Sequence, residues 1–417
     1  MKIWIFPIIS MILLHSACLF RTNETIEEQI QHTLDRTLEK YNERGVSAAI
    51  ILPDRKEMSF VSGISHDSIA MKPDMLFAIG SVTKNVVAAL TLKLAEENIV
   101  SLDDPISKWL PDYPYVDNAI TIRQLLNHTS GLYMYWINQK IWDDLKKDRG
   151  KVWTPDEVLG YIKEPHFAPG KGWRYSNTNY LLLAMIIKKA TGVKLSTNFR
   201  TRFWQPLGID NAYLSMEDTI PANQAHVFGD NFNFGDATRD LTFLPRASHE
   251  SIGYGSSGIF TTAMDLATWC QALFEGKVLQ ENSMTEMLQF VKFKPVSDMN
   301  AYGLGVQVYK PSFSAGKLAI GHGGGNIGTT TYMVYLPDYH ASIVVMVNAF
   351  PGKSANAITK KLIRIVLKDQ DALGFIPYIP FFPTGVFLIC LFLYALTMSI
   401  VLIRKRKNIK TVKTSHF

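Results

Sequence analysis

The sequence predicts an α/β (α+β) fold: one antiparallel sheet flanked by N- and C-terminal helices, an inserted all-helical lobe, and a C-terminal transmembrane helix. Three observations predict it. Strand patterns fall near both ends of the chain; the stretch from 121 to about 290 is mostly helical in its period; residues 384–403 carry no charge. At 417 residues and 47% hydrophobic, the chain has enough apolar surface for a large core.

The elements follow in order. Residues 1–20, MKIWIFPIISMILLHSACLF, have one lysine, a long apolar run and a small-residue patch, the outline of a signal peptide or N-terminal anchor. Ser16-Ala17-Cys18 also resembles the end of a lipoprotein signal, with His15 where an aliphatic residue is usual. Residues 24–44 read as an amphipathic helix ending near Gly45, and VSAAIILP and EMSFVSGIS as a strand pair around Asp54-Arg55-Lys56.

Residues 75–94, MLFAIGSVTKNVVAALTLKL, combine a short strand-like run, Gly80, and Ser81 at the mouth of a helix. Val82, Val86, Leu90 and Leu94 recur at helical spacing, which predicts one buried face. Ser81 and Lys84 share a helix face, within reach of each other. A serine becomes a nucleophile when a base takes its proton, and a partly buried lysine keeps a neutral fraction. A second Ser-x-x-Lys, Ser314 to Lys317, lies in the loop-like PSFSAGKL. Such pairs arise by chance about once or twice in a chain of this length.

Further on, Tyr175-Ser176-Asn177 precedes a strongly apolar helix, and His322-Gly323-Gly324-Gly325 precedes the strand-like TTTYMVYLP. In a serine acyl-transfer site a phenol relays protons and an amide orients substrate. YGLGVQVYK, KLAIGHGG and HASIVVMVNAF are further strands, and SANAITKKLIRIVLK a last helix. The expected domains are therefore 1–20, a body at 21–370, a Pro-rich linker at 371–383, the span at 384–403 and a basic tail at 404–417. Twenty uncharged residues suffice to cross about 30 Å of hydrocarbon, and the RKRK that follows stays cytoplasmic. The body is thus expected at the cell membrane, on its extracytoplasmic side.

Several functions are excluded by what the residues lack. The net charge of +6 sits in the tail, where Arg404, Lys405, Arg406, Lys407, Lys410 and Lys413 face no acid; the remainder is balanced, so no nucleic-acid partner is expected. Cys270 is alone in the body, with Cys18 and Cys390 in the hydrophobic ends, so neither a disulfide nor a Cys-based metal site is available to it. Gly323, Gly325 and Gly328 match GxGxxG formally, but a strand follows where a dinucleotide site needs a helix. There is no P-loop, GxSxG or HExxH, and no metal or cofactor is expected.

With SVTK at 81–84, YSN at 175–177 and HGG at 322–324, the chain resembles the serine β-lactamase/penicillin-binding-protein-like family, its class C branch most. VSLDDP, LLNHTSGL, PGKGWRYSNTNYLLL, GSSGIFTTAMDLA and GHGGGNIG support the resemblance, in family order over roughly 25–368. It implies a β-lactamase/transpeptidase-like fold, with Ser81 as the acylated nucleophile and Lys84 as its base or base-partner. Tyr175 would share proton transfer and Asn177 would orient the substrate. His322, Gly323 and Gly324 would form the third, substrate-binding motif, with the backbone N–H groups of Ser81 and Gly325 as oxyanion hole.

One departure bears on substrate. β-Lactamases and DD-peptidases of the family usually carry Lys-Thr/Ser-Gly where this chain has His-Gly-Gly, and that lysine helps to hold a carboxylate. A histidine, mostly neutral at pH 7, offers one donor and one acceptor instead. The variant occurs among family esterases, D-amino-acid peptidases and penicillin-binding-related proteins. The expectation is a membrane-anchored serine hydrolase for a small peptide, an ester or a β-lactam-like substrate. The alternative is a non-turnover penicillin-binding or sensor protein that acylates and stalls.

Overall fold

The structure, a computed structural model, describes residues 24–54, 56–229, 239–242 and 245–374. The expected leader (1–20), the span (384–403), the tail and most of the linker lie outside the described residues. Among the described residues no helix is long and apolar enough to cross a membrane. The first of the chain's two units ends at Leu367, and the architecture below is that unit's.

Helix α1 (Ile26–Tyr41) opens on a capping box, Thr25 with Glu28, and closes on Asn42 in the left-handed conformation. The strands follow as β1 (Gly45–Ile51), β2 (Glu57–His66), β3 (Ile69–Ala70), β4 (Phe77–Ala78), β5 (Ala212–Leu214), β6 (Phe228–Gly229) and β7 (Ile259–Thr261). After these come β8 (Val291–Val296), β9 (Met299–Tyr302), β10 (Gln307–Tyr309), β11 (Ile320–Asn326), β12 (Thr329–Leu336), β13 (Ala341–Val347) and β14 (Ala349–Phe350). Nine of them form one antiparallel sheet in the order β3-β2-β1-β13-β12-β11-β10-β9-β8. The early and late strands meet at β1–β13, where Ala49 faces Val344, so the sheet joins the two ends of the body as expected.

That sheet is covered on both faces, and the period-2 alternation shows how. Val46, Ala48 and Ile50, with Ile343, Val345 and Val347, pack into one cluster with α1 and the C-terminal helix α5 (Lys353–Gly374). Ala49, Ile51, Val344 and Met346 pack from the other face against the helical lobe. Within that lobe lie α2 (Thr83–Glu96), α3 (Asn177–Thr191) and α4 (Ala263–Phe274). Burying one Val or Leu side chain is worth about 1.5–3 kcal/mol, so the two clusters dominate the fold.

Three details differ from expectation. Helix α2 is buried almost all round, from Thr83 to Leu92 and again at Leu94, because it sits inside the lobe against α3 and the helices Leu195–Phe199 and Glu281–Met287 rather than on a surface. Helix α5 runs to Gly374 and takes the first four residues assigned to the linker. Strands β8 and β9 went unread: β8 (VKFKPV) carries two lysines and a proline, the composition of an exposed sheet edge rather than of a half-buried strand.

Candidate active site

Strand β4 leads into a single tight turn, Gly80–Val82, which feeds helix α2. Gly80 has φ +53° and a Cβ there would strike the carbonyl of Gly325, so the position requires glycine on two counts. Ser81 follows, partly exposed. One turn on, Lys84 is fully buried. Its Nζ lies 3.0 Å from Ser81 Oγ and donates to the Ser256 carbonyl at 2.7 Å. No carboxylate among the described residues pairs with it. Burial alone drives its pKa well below that of an ordinary lysine, which favours the neutral amine, a base, next to the serine hydroxyl.

Tyr175 stands over this pair, its ring centroid 5.0 Å from Lys84 Nζ. Burial raises the phenol's pKa, with the Ser81 hydroxyl acting in the opposite direction, so it is a proton-bearing donor at neutral pH. Asn177, two residues on, opens α3, and its Oδ1 is buried with no hydrogen-bond partner. An orphaned buried acceptor costs about 1–3 kcal/mol until a donor reaches it.

The fourth side of the site is β11. A Cβ on Gly324 would meet the Ile79 carbonyl, and Val82 Cγ2 stands 3.1 Å from the same point; this strand thus presses its bare backbone onto the serine turn. Gly325 comes against Gly80, the residue before Ser81. The N–H of Gly323 donates to Gln307 Oε1 at 3.0 Å, which fixes the strand from its outer neighbour β10.

His322 does not present a free donor and acceptor. Its Nδ1 lies 2.6 Å from the Gly323 carbonyl, which can only accept, so Nδ1 carries the proton. Nε2 is then bare and accepts from the Tyr302 hydroxyl at 2.9 Å. Burial, with the nearby Lys84 as a second cause, lowers the imidazole pKa to about 3. Both nitrogens are engaged inside the protein, and the ring holds β11 to β9.

The second Ser-x-x-Lys does not converge. The Ser314 hydroxyl is buried and donates to the Lys317 carbonyl, while the Lys317 ammonium lies over the Tyr339 ring. Cys270 is buried, its thiol pKa pushed up to about 12 by burial, as suits an apolar filler. No group of three or more His, Cys, Asp or Glu side chains among the described residues could hold a metal ion. Sequence reasoning assigned no role to Ser256, Tyr302, Gln307 or His128. Ser256 in GSSGIFTTAMDLA and His128 in LLNHTSGL lay inside strings that carried the family resemblance, and Tyr302 and Gln307 in YGLGVQVYK, read only as a strand; that was the available signal.

Comparison with known proteins agrees with this arrangement. The family model described as Beta-lactamase matches residues 30–368. Penicillin-binding protein 4* of Bacillus subtilis is 29% identical over 294 residues, covering 67% of this chain and 62% of that protein. The D-aminopeptidase of Brucella anthropi is 28% identical over 341 residues, covering 80% and 62%. The chain thus spans about three fifths of the length of these two curated relatives. Among solved structures, D-amino acid amidase from Ochrobactrum anthropi SV3 complexed with D-phenylalanine superposes with a TM-score of 0.74 at 26% identity. That match covers 82% of this chain and 99% of the amidase.

Proposed function

The chain belongs to the Beta-lactamase family, and from that premise we propose that it is a serine hydrolase that cleaves an amide or ester through acyl-Ser81, with a D-amino-acid amide or peptide as the preferred substrate class. The observation that carries the reading is the fully buried Lys84, unpaired with any described carboxylate, at 3.0 Å from Ser81 Oγ.

Neutral Lys84 takes the Ser81 proton as Oγ adds to the substrate carbonyl. The oxyanion is received by the backbone N–H groups of Ser81 and Gly325, a contribution worth several kcal/mol in such sites. Collapse expels the amine or alcohol, which takes the Tyr175 proton, and the phenolate is reprotonated from the Lys84 ammonium. The opposed directions of the two pKa shifts favour that return. Water then attacks the acyl-enzyme with Lys84 again as base. Asn177 Oδ1 accepts from a substrate N–H, and His322 acts by holding Gly323 and Tyr302, hence the strand on which the substrate lies.

Support for the substrate class comes from two sides. The site's third motif lacks a permanent cation for a carboxylate, and the relatives include a D-aminopeptidase and a D-amino acid amidase. The B. subtilis relative's name supports a second reading, in which the acyl-enzyme forms and stalls. We further propose that 1–20 directs export and 384–403 anchors the protein with the hydrolase domain outside. Its support is the uncharged span and the RKRK flank; a C-terminal tag digested by protease added to intact cells would reverse that topology.

The central test is fluorophosphonate labelling read by intact mass, together with hydrolysis of D- and L-phenylalanine amides. Ser81→Ala should abolish both, while Ser314→Ala leaves both intact. Labelling that survives Ser81→Ala removes the assigned nucleophile, and a persistent adduct with no turnover of any substrate selects the stalled binder.

A further inference from the structure

We propose that His128, in the LLNHTSGL turn, is the positioning residue that holds Tyr175 in line for proton transfer, an inference that rests on the acyl-serine reading above. His128 has no exposed surface and a left-handed backbone, φ +63°, a conformation that few side-chain-bearing residues adopt. Its bonds explain why it is held there. Its carbonyl accepts the Arg174 N–H at 3.1 Å, and its ring Nδ1 accepts the Ser176 N–H at 3.3 Å. These two N–H groups belong to the residues immediately before and after Tyr175. The imidazole itself packs on the phenol, with centroids 4.3 Å apart. A single residue therefore fixes the backbone on both sides of Tyr175 and one face of its ring.

The tautomer follows from the partners. Nδ1 also receives the Asn179 side-chain amide at 2.9 Å, an amide oriented by the Ser130 hydroxyl, which donates to Asn179 Oδ1 at 2.7 Å. With two donors on Nδ1, the proton sits on Nε2, which is buried and has no hydrogen-bond partner. Burial, with Lys84 and His322 as lesser causes, holds the imidazole pKa well below its usual value. The ring has no lone pair left for a base's work, so it acts through Tyr175. The rest of the turn bears the same load: the Thr129 carbonyl accepts from Gly170 N–H and the Gly131 carbonyl from His166 N–H, each at 2.8 Å. The 166–176 segment thus hangs on 128–131 through the N–H groups of His166, Gly170, Arg174 and Ser176.

A positioning role for Tyr175 has a signature that loss of stability lacks. A departing amine must take a proton from Tyr175, whereas p-nitrophenolate leaves without one. The experiment compares His128→Leu, which keeps bulk and removes the acceptor, with His128→Asn, which puts an oxygen near the Nδ1 position and tolerates the left-handed backbone. D-phenylalanine amide and a p-nitrophenyl ester serve as substrates, and rates are normalised to folded protein by circular dichroism. Expected for His128→Leu is a loss of about 100-fold in kcat on the amide, the scale of one lost general acid, with KM little changed and less than about 10-fold lost on the ester. His128→Asn should recover most of the amide rate. Where the leucine variant fails to fold, His128→Gly, which suits the left-handed backbone, replaces it with the same expectation. Equal losses on both substrates, or an undiminished amide rate in a folded variant, overturn the inference while the acyl-serine reading stands. Wild-type protein inert to both substrates and to fluorophosphonate overturns both together.

Discussion

His322 illustrates how a residue's neighbours rewrite its chemistry. An exposed histidine would gain charge as pH falls below about 6.5 and would then attract a carboxylate. Here burial brings the pKa to about 3, and both nitrogens are bonded within the protein. Between pH 5.5 and 8, therefore, turnover of carboxylate-bearing substrates should show no acid-side gain from His322. The acid limb of kcat/KM belongs instead to Lys84: as pH falls through its depressed pKa the amine is protonated and acylation is lost. A pH profile that rises toward acid for carboxylate substrates only would contradict this assignment. His322→Phe should cost about 1–3 kcal/mol in chemical denaturation, because it leaves the buried Tyr302 hydroxyl without its acceptor.

At the scale of elements, the cleft depends on how closely β11 approaches the Gly80–Val82 turn. Adjacent glycines in β11 make contrasting tests. A Cβ at Gly324 collides with the Ile79 carbonyl, which is backbone and cannot swing away; at Gly323 the nearest atom is Gln307 Oε1 at 3.6 Å, an ordinary contact. Gly324→Ala should destabilise by about 1–3 kcal/mol and slow fluorophosphonate labelling of Ser81, since the strand must move off the serine turn. Gly323→Ala should leave the denaturation midpoint nearly unchanged. Equal midpoints for the two variants would show that the strand can shift without strain.

Among the described residues, the fully buried His128, His249 and His322 are kept neutral by burial, and the less buried His166 is shifted in the same direction. Their unfolded pKa is about 6.5, so below that pH the unfolded chain binds protons that the folded chain refuses. The histidines' contribution to stability is therefore full above about pH 6.5 and is lost as pH falls through their depressed pKa values, by up to about 1.4 kcal/mol per pH unit for each histidine. Glu250 works the other way, because burial raises its carboxyl pKa. The net expectation is a clear fall in the urea midpoint between pH 7 and pH 5, and an unchanged midpoint would mean that these histidines charge without cost in the fold.

What the sequence determined by itself was local or repeated along the chain. The apolar runs VSAAIILP (46–53) and HASIVVMVNAF (340–350) announced strands, and the helical spacing after Ser81 placed serine and lysine on one face. YSN and HGG stood out as short strings on their own. Their convergence is tertiary. Ser81 and Lys84 are neighbours by helix geometry, but Ser256, whose carbonyl accepts from Lys84 Nζ, is 172 residues away. The same holds for burial: helix spacing predicts one apolar face, whereas only packing inside the lobe, against α3 and the neighbouring helices, decided that α2 is enclosed on every side. It also decided the protonation states. A lysine reads as a cation and a histidine as a switch until the fold removes water from around them, and desolvation is a property of the surroundings that no single position in the chain encodes.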